Sequence, residues 1–436
     1  MHSDQSYQQC LASMYALRRF GIKLGLDVIT NMLGGLGNPQ DTYHIVHVAG
    51  SNGKGSISAT LAAILQEAGF QVGLYTSPHL VRFNERIRIN GEEITDAEVV
   101  ACHQVVQQVH HGDREPTFFE YTTAMALYEF GRRKVDWAVI ETGMGGRLDA
   151  TNIVRPAVAV ISNISLEHQF YLGDTLARIA AEKAGIIKQG IPVVTAAKQK
   201  SVREVIEETA RKKKAPVYRL GRDFRIRRNG RGGFSYYGLD RTLPQVTPAL
   251  AGAHQFENTA VALAACEVLM KGTKTRPALA IPPEAVTAGL EKTRWPGRLE
   301  ILSQNPLVIL DGAHNLPAVK LLVQYLKPLV ENRRLILVIG ILNDKAFEPM
   351  LNSILPICGR VILTQPQIDR SLPPEELLRV ARNHAADIEI RKEVGQAVKY
   401  AVESAGPEDV VCIAGSLYVV GETKAAVESG LVRFRP

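Results

Sequence analysis

The chain is poor in cysteine and tryptophan and has no long hydrophobic run. Its five cysteines, Cys10, Cys102, Cys266, Cys358 and Cys412, are odd in number, widely scattered and never in a CxxC pair. That argues against a disulfide framework or a cysteine metal site and fits buried free thiols in a reducing cytoplasm. No stretch approaches the ~20 apolar residues that a membrane-crossing helix needs, so no membrane partner is expected. Met1–Ala16 mixes His, Asp and several Gln with apolar residues and does not read as a secretory signal. Internal repeats and low-complexity tracts are missing too. What is present is ordinary for a globular protein: 436 residues, 46% apolar and 22% charged. At roughly 100–200 residues per domain that predicts two or three domains. The 51 basic and 44 acidic residues leave a net charge of +7. An anionic ligand suits that sign, although an excess this small is mostly solvated surface.

Short β-rich apolar runs alternate with helical patterns along nearly the whole chain. The runs are His44–Ala49, Val72–Tyr75, Trp137–Glu141, Ala157–Ser162, Pro192–Thr195, Leu307–Leu310, Leu335–Ile339, Arg360–Leu363 and Val410–Ala414. Between them, apolar residues recur at helical spacing, as in Ile57, Leu61, Ile64, Leu65 and Ala68. This alternation predicts an α/β fold built of βαβ units around largely parallel sheets covered on both faces. Tyr218–Leu243 breaks the rhythm and reads as short strands with Gly/Arg turns, a β excursion from the first domain. Trp295-Pro296-Gly297 ends a helical pattern before a fresh strand–helix series, which divides the chain into residues 1–297 and 298–436.

Chemistry gathers where apolar runs end. His44–Ala49 leads into Gly50-Ser51-Asn52-Gly53-Lys54-Gly55-Ser56 and then a helical pattern. Glycines let backbone N–H groups curl toward phosphate oxygens, and a helix N-terminus adds positive field. Lys54 then reaches the outer phosphates and Ser56 helps hold Mg²⁺. The spacing departs from GxxxxGK[ST], because Gly55 separates Lys54 from Ser56. Glu141 ends the next apolar run and opens Glu141–Asn152. A carboxylate at the carboxyl end of a parallel strand suits a Mg²⁺ ion, a hard cation that takes oxygen ligands. Asp149 in that segment reads as a helix cap. Past Ala157–Ser162 stands His168, which alone reads as a capped loop histidine, with metal ligand or base as alternatives. Asp174 is placed as the N-cap of the following helix, where Lys183 alone reads as a surface lysine. Leu307–Leu310 ends in Asp311-Gly312-Ala313-His314, and Arg298 offers a planar fork to phosphate. Arg211–Arg231 holds ten Lys or Arg and one acid, Asp223. It reads as a solvated face, with nucleic acid as the alternative.

Taken in order, these segments resemble the folylpolyglutamate synthase / dihydrofolate synthase family, a branch of the Mur-type amide ligases. The residues that carry the likeness are Ile22–Leu26, Gly50–Ser56, Thr76–Leu80, Phe119–Thr122, Glu141–Asn152, Ser165–His168, Glu182–Ile186, His254–Asn258, Trp295–Arg298, Asp311–Asn315 and Gly415–Tyr418. The resemblance implies a P-loop-containing Mur-ligase-type ATP-binding domain and a smaller Rossmann-like α/β C-terminal domain. It implies ATP-dependent addition of L-glutamate to dihydropteroate and to reduced folates through an acyl phosphate, in a cleft that two domains close. Gly53, Lys54, Gly55, Ser56, Asn258, Arg298 and Asp311 match the nucleotide site. Ser77, Glu141, His168 and Lys183 match ligands of two Mg²⁺ ions, with Lys183 carbamylated and so turned from a cation into an anion. Thr117, Phe118, Phe119, Glu120, Leu148, Asp149 and Ala150 match pterin-substrate or linker contacts. Lys54 and His314 are the catalytic candidates, His314 as a proton carrier. The chain departs from the family pattern at Glu167, where Asp is usual before the histidine, and at Asn315-Leu316-Pro317.

The expected molecule is a cytoplasmic monomer acting on small molecules, without a nucleic-acid partner. Ile22–Leu26 resembles a dihydropteroate-contacting segment, which favours both activities over either alone. A Mur-type ligase for a UDP-linked acid is disfavoured, since no further domain precedes the glycine loop in this sequence. A nucleotide-dependent regulator that uses Arg211–Arg231 is the reading from another class.

Overall fold

The computed structural model describes residues 2–434 except 22, 111, 231, 273–277 and 385–386. Ile22 of the Ile22–Leu26 segment and Arg231 of the basic stretch therefore lie outside the described residues. The chain divides into two compact units. One comprises Met1–His79, Phe83–Ala249 and Gln255–Arg294; the other comprises Leu80–Arg82, Leu250–His254 and Trp295–Pro436.

The first unit is built on strands β1 (His44–Ala49), β2 (Val72–Tyr75), β3 (Ile87–Ile89), β4 (Glu92–Glu93), β5 (Trp137–Glu141), β6 (Val158–Ile161), β7 (Val193–Thr195) and β8 (Val217–Arg219). Their order is β4-β3-β2-β5-β1-β6-β7-β8. The strands from β2 to β8 run parallel, and β3 and β4 add an antiparallel edge. β5 is buried at every position, as expected of a parallel strand covered on both faces. One core packs helices Asp27–Gly35, Asp96–Val106 and Phe118–Arg132 against β1, β2 and β5. Another packs helices Leu176–Ala184 and Lys200–Lys212 against β6 and β7.

The expected β excursion is a separate three-stranded antiparallel sheet of β9 (Arg225–Arg228), β10 (Phe234–Tyr237) and β11 (Thr242–Val246), in the order β11-β10-β9. Tyr218 and Arg219, at the start of the stretch read as that excursion, instead belong with Val217 to β8 of the parallel sheet, paired with β7. The small sheet is tied to helix His254–Lys271 by Glu267. That buried carboxylate accepts from Tyr236 Oη at 2.8 Å and from the backbone N–H groups of Leu239, Asp240 and Arg241 at 2.7, 3.4 and 2.9 Å. Removing it leaves four donors without this acceptor. Glu267→Ala is therefore expected to lower unfolding free energy by about 3–5 kcal/mol, read as the shift of the urea midpoint.

The second unit carries β12 (Glu300–Gln304), β13 (Leu307–Leu310), β14 (Leu335–Ile339), β15 (Arg360–Leu363), β16 (Ile388–Ile390) and β17 (Val410–Ala414). The order is β12-β13-β17-β14-β15-β16, parallel except for β12. Alternate residues feed opposite cores. Leu335, Leu337 and Ile339 pack against helices Leu316–Leu326, Phe347–Ile354 and Pro374–Ala381. Ile336 and Val338 pack against helices Val394–Ser404 and Leu417–Glu428.

Three local expectations need correction. Asp174 is not the N-cap: Thr175 is, its hydroxyl accepting from Arg178 N at 3.3 Å, while Asp174 pairs with the Arg178 side chain. Lys183 is not a surface lysine but 1% exposed. Cys358 is half-buried, unlike the other four free thiols, which are buried.

Candidate active site

The carboxyl ends of three neighbouring strands, β5, β1 and β6, converge on one place, where open α/β sheets bind ligands. After β1, Gly50 turns with φ +144° and Gly53 caps helix Lys54–Glu67 with φ +86°. A Cβ on Gly50 would lie 1.8 Å from Ser162 Oγ, and one on Gly53 would lie 2.4 Å from Asn258 Oδ1. Only glycine fits either position. The first N–H groups of a helix have no acceptor within it and favour an anion. The loop is fixed from the β6 side. Ser51 N donates to Asn163 O at 2.8 Å, Asn52 N to Asn163 Oδ1 at 3.1 Å, and Ser162 Oγ to Asn52 O at 2.7 Å.

Two lysines share one acceptor in this loop. Lys54 Nζ and Lys183 Nζ donate to Gly50 O at 3.1 and 2.8 Å. Lys183 also pairs with Glu167 at 2.7 Å. Burial pulls the Lys183 ammonium below its usual pKa, with Glu167 opposing. Burial pushes Glu167 upward, but the charges of Lys183 and Lys54 outweigh that and hold it at about 2. Glu141 ends β5 with Oε1 4.0 Å from Lys54 Nζ, and its Oε2 accepts from Ser77 N at 3.3 Å.

This donor set fits one hard divalent cation. Glu141 brings a carboxylate beside a phosphate cradle, with Ser77 held next to it through its N–H, and Mg²⁺ commonly takes one or two carboxylates plus substrate phosphates. No cluster of three or more His, Cys, Asp or Glu able to hold a metal occurs among the described residues, so the phosphates would complete the shell. His168 caps the short helix Gln169–Leu172 in the left-handed region, at φ 45°. Lys183 as an ammonium paired with Glu167 cannot ligate a cation; a carbamate there could.

The pterin-contact candidates lie around helix Phe118–Arg132. Thr117 and Glu120 form a capping box. The Glu120 carboxylate also takes a two-pronged bond from Arg114 at 2.9 and 2.6 Å, so its charge is already matched. Phe118 packs under the guanidinium groups of Arg18 and Arg86, and Phe119 stacks on Tyr75. Between Leu148 and Ala150, Asp149 accepts from Met144 N, Thr151 N and Thr151 Oγ1 at 2.8, 3.0 and 2.5 Å. Burial raises its pKa against those bonds.

Beneath Asp149 lies His47 of β1, fully buried, with Nε2 2.9 Å from Thr151 Oγ1. The hydroxyl gives its one proton to Asp149, so His47 Nε2 carries the ring proton. Nδ1 has no partner among the described residues. Burial, aided by the Lys188 charge, lowers the imidazole pKa to about 3. The unfolded chain binds this proton below about 6.5. The stability His47 lends is therefore whole above that pH and is lost as pH falls toward 3, by up to about 1.4 kcal/mol per unit. His47→Gln should flatten the loss of urea stability between pH 7 and pH 5 by about 2 kcal/mol.

In the second unit, Asp311 Oδ2 accepts from Leu299 N and Oδ1 from Ala313 N, both at 2.9 Å. Burial raises its pKa, with Arg298 opposing. His314 Nδ1 sits 2.8 Å from Gly312 O. A carbonyl only accepts, so Nδ1 holds the proton and Nε2 is the basic nitrogen. Thus Gly53–Ser56, Asn258, Ser77, Glu141 and Lys183 gather in the first unit, and Arg298, Asp311 and His314 in the second. The residues the sequence did not single out are Gln255, Asn163, His47 and Arg114; Glu167, noted there only as a departure from the family pattern, is the ion-pair partner of Lys183. Gln255 Nε2 donates to Ser56 Oγ at 3.3 Å and its Oε1 accepts from Asn258 at 2.8 Å. It lay within the quoted His254–Asn258 segment, which was its one signal.

The Mur ligase middle-domain model matches residues 48–266, and the model described as Mur ligase, glutamate ligase domain matches residues 297–417. A nucleotide-type loop domain followed by a glutamate ligase domain defines the class of Mur-type ligases. A dihydrofolate synthase/folylpolyglutamate synthase of Bacillus subtilis is 35% identical, over 96% of this chain and 98% of that one. The structure of E. coli FolC in complex with DHPP and ADP superposes with a TM-score of 0.88 at 31% identity, covering 97% of this chain and 98% of that one. A bifunctional folylpolyglutamate synthase/dihydrofolate synthase of Yersinia pestis, complexed with AMPPNP and Mn ion, gives 0.85 at 31% identity, covering 97% and 98%. The chain belongs to the dihydrofolate synthase/folylpolyglutamate synthase family of ATP-dependent Mur-type ligases.

Proposed function

We propose that this enzyme adds L-glutamate to dihydropteroate, making dihydrofolate, and to reduced folates, making folylpolyglutamates. The carrying observation is the glycine-turned phosphate cradle of β1, with Lys54 and Glu141 beside it, in a chain similar over its whole length to folate ligases. The acceptor carboxylate attacks the γ-phosphorus of ATP, and the bond to ADP breaks. The amine nitrogen of glutamate then attacks the acyl carbon, and the C–O bond breaks to release phosphate. A carboxylate alone is a poor acyl donor because its leaving group is oxide; the phosphoryl group supplies a good one.

Within this reading the backbone amides after Gly53 hold the phosphates, and Lys54 leaves the Gly50 carbonyl to meet the transferring group. Catalysis is then mostly positioning and charge stabilisation. Ser77 and Glu141 would hold a Mg²⁺ ion, and His168 with a carbamylated Lys183 would hold a second; such ions would supply positive charge against the phosphate oxygens. Asn258, Arg298 and Asp311 serve the nucleotide. His314 Nε2 takes the proton lost by the attacking amine. Thr117–Glu120 and Leu148–Ala150 shape the pterin side. We propose a monomer at work in the cytoplasm; the five free thiols agree with a reducing compartment. No helix among the described residues is long and apolar enough to cross a membrane.

The test is phosphate release from Mg·ATP with L-glutamate, comparing dihydropteroate with tetrahydrofolate as acceptor. Release with both, and a mass gain of one glutamate per product, supports both activities. Release with one assigns that activity alone, and release with neither overturns the proposal.

A further inference from the structure

The basic stretch set apart by the sequence has a defined geometry that the ligation site does not use. Arg225 and Arg227 alternate with Ile226 on β9, so they share one face of the small sheet. Opposite them on β10 stand Tyr237 and Ser235, and the Arg225 guanidinium lies 5.0 Å over the Tyr237 ring. Arg225, Arg227 and Arg228 are all exposed. None of the three makes an ion pair among the described residues, whereas neighbouring Arg219 and Arg222 both pair with Glu207. β9 is also the edge strand. The other face of the sheet is buried through Phe234 and Tyr236. Phe234 packs on Phe256 at 5.2 Å between ring centres. Phe256 sits between Gln255 and Asn258, which touch Ser56 and flank Gly53. The arginine face is therefore the face of the small sheet turned away from helix His254–Lys271 and the phosphate loop.

We propose that this face binds the γ-linked oligoglutamate tail of the folate substrate and product, an inference that rests on the proposed function. Each γ-linked residue leaves a free α-carboxylate, so the tail is a flexible ladder of negative charge. Its repeat advances roughly 6 Å over five backbone bonds, and residues two apart on a strand stand about 6.7 Å apart. Uncompensated guanidinium groups at that interval complement the ladder, and the ring under Arg225 holds one of them in place.

The experiment is fluorescence anisotropy of fluorescein-labelled γ-linked hexaglutamate with the full chain, at low and at 0.15 M salt. A single-stranded DNA hexanucleotide serves as competitor. Binding that weakens with salt, and weakens at least tenfold in Arg225→Glu/Arg227→Glu, supports the proposal. Both side chains are exposed and make no ion pair among the described residues, so the variant is expected to fold; Arg225→Gln/Arg227→Gln repeats the test with a milder change. In turnover, the KM ratio of pentaglutamyl to monoglutamyl tetrahydrofolate should rise at least fivefold in the variant. Equal binding by wild type and both variants overturns the proposal. So does tighter capture of the DNA, which would make the face a nucleic-acid surface. Wild-type binding without turnover of either folate acceptor would count against the proposed reaction and leave the anionic-tail surface standing.

Discussion

Replacing Lys183 with alanine is expected to lower the rate of ligation about a thousandfold, equivalent to ~4 kcal/mol of barrier. Lys183 Nζ joins the Gly50 carbonyl of the phosphate loop to the Glu167 carboxylate. Removing it leaves Glu167 as a buried anion without that partner, beside the proposed phosphate cradle. Breaking such a pair from one side costs about 3–5 kcal/mol of stability. The double variant Lys183→Ala/Glu167→Ala removes the stranded charge, so it should regain much of the melting temperature while staying inactive. That separation of stability from activity is what a functional lysine predicts and a merely structural one does not. Chemical rescue then identifies the working form. Restoration by a small carboxylate points to a carbamate, whose two oxygens it mimics. Restoration by a small amine points to the ammonium. Full activity in the single variant would remove Lys183 from the site altogether.

The same residue shows where sequence reasoning stops. A lysine on helix Leu176–Ala184 reads as solvated because lysine ordinarily is. Its burial depends on Gly50 and Glu167, which come from the ends of other strands, and no spacing along one helix reports that. The phosphate loop was legible because its cause is local: β-branched residues, then glycines where the backbone must turn left-handed, then helix. The central strands were legible for a similar reason, being apolar at nearly every position. β12 and β16 were not foreseen. Edge strands bury less, and Glu300–Gln304 and Ile388–Ile390 carry charged or polar residues with no continuous apolar run. Most of β8 was absorbed into the β excursion because Val217–Arg219 is half-buried throughout and lies within the basic stretch. Asp174 and Thr175 are both good caps on composition; the Thr175 hydroxyl takes the Arg178 N–H, while Asp174 pairs with the Arg178 side chain. His47 looked like any core residue of β1, and its bond to Thr151 depends on a loop a hundred residues away.

Glu141→Gln tests the other half of the phosphate site, and its signature is a change of opposite sign in two affinities. The substitution keeps the shape and most of the contacts of a side chain that is 5% exposed. It removes one negative charge 4.0 Å from Lys54. If Glu141 holds the divalent cation, the Mg²⁺ concentration for half-maximal rate should rise at least tenfold and kcat should fall about a hundredfold, ~2.7 kcal/mol of barrier. The bare nucleotide should behave differently. Lys54 then faces one carboxylate fewer, with Glu167 remaining, so local positive potential increases. ATP measured in EDTA by calorimetry should bind as tightly as in the wild type or more tightly. A glutamate that served only to position Ser77, through the 3.3 Å bond to its N–H, would lose little, because a glutamine oxygen accepts the same bond. In that case the Mg²⁺ profile would stay where it was, and Glu141 would have to be withdrawn as a ligand. A joint loss of Mg²⁺ and bare ATP affinity would instead mean that the loop had collapsed. The paired measurements therefore separate metal ligation from loop support at a single position.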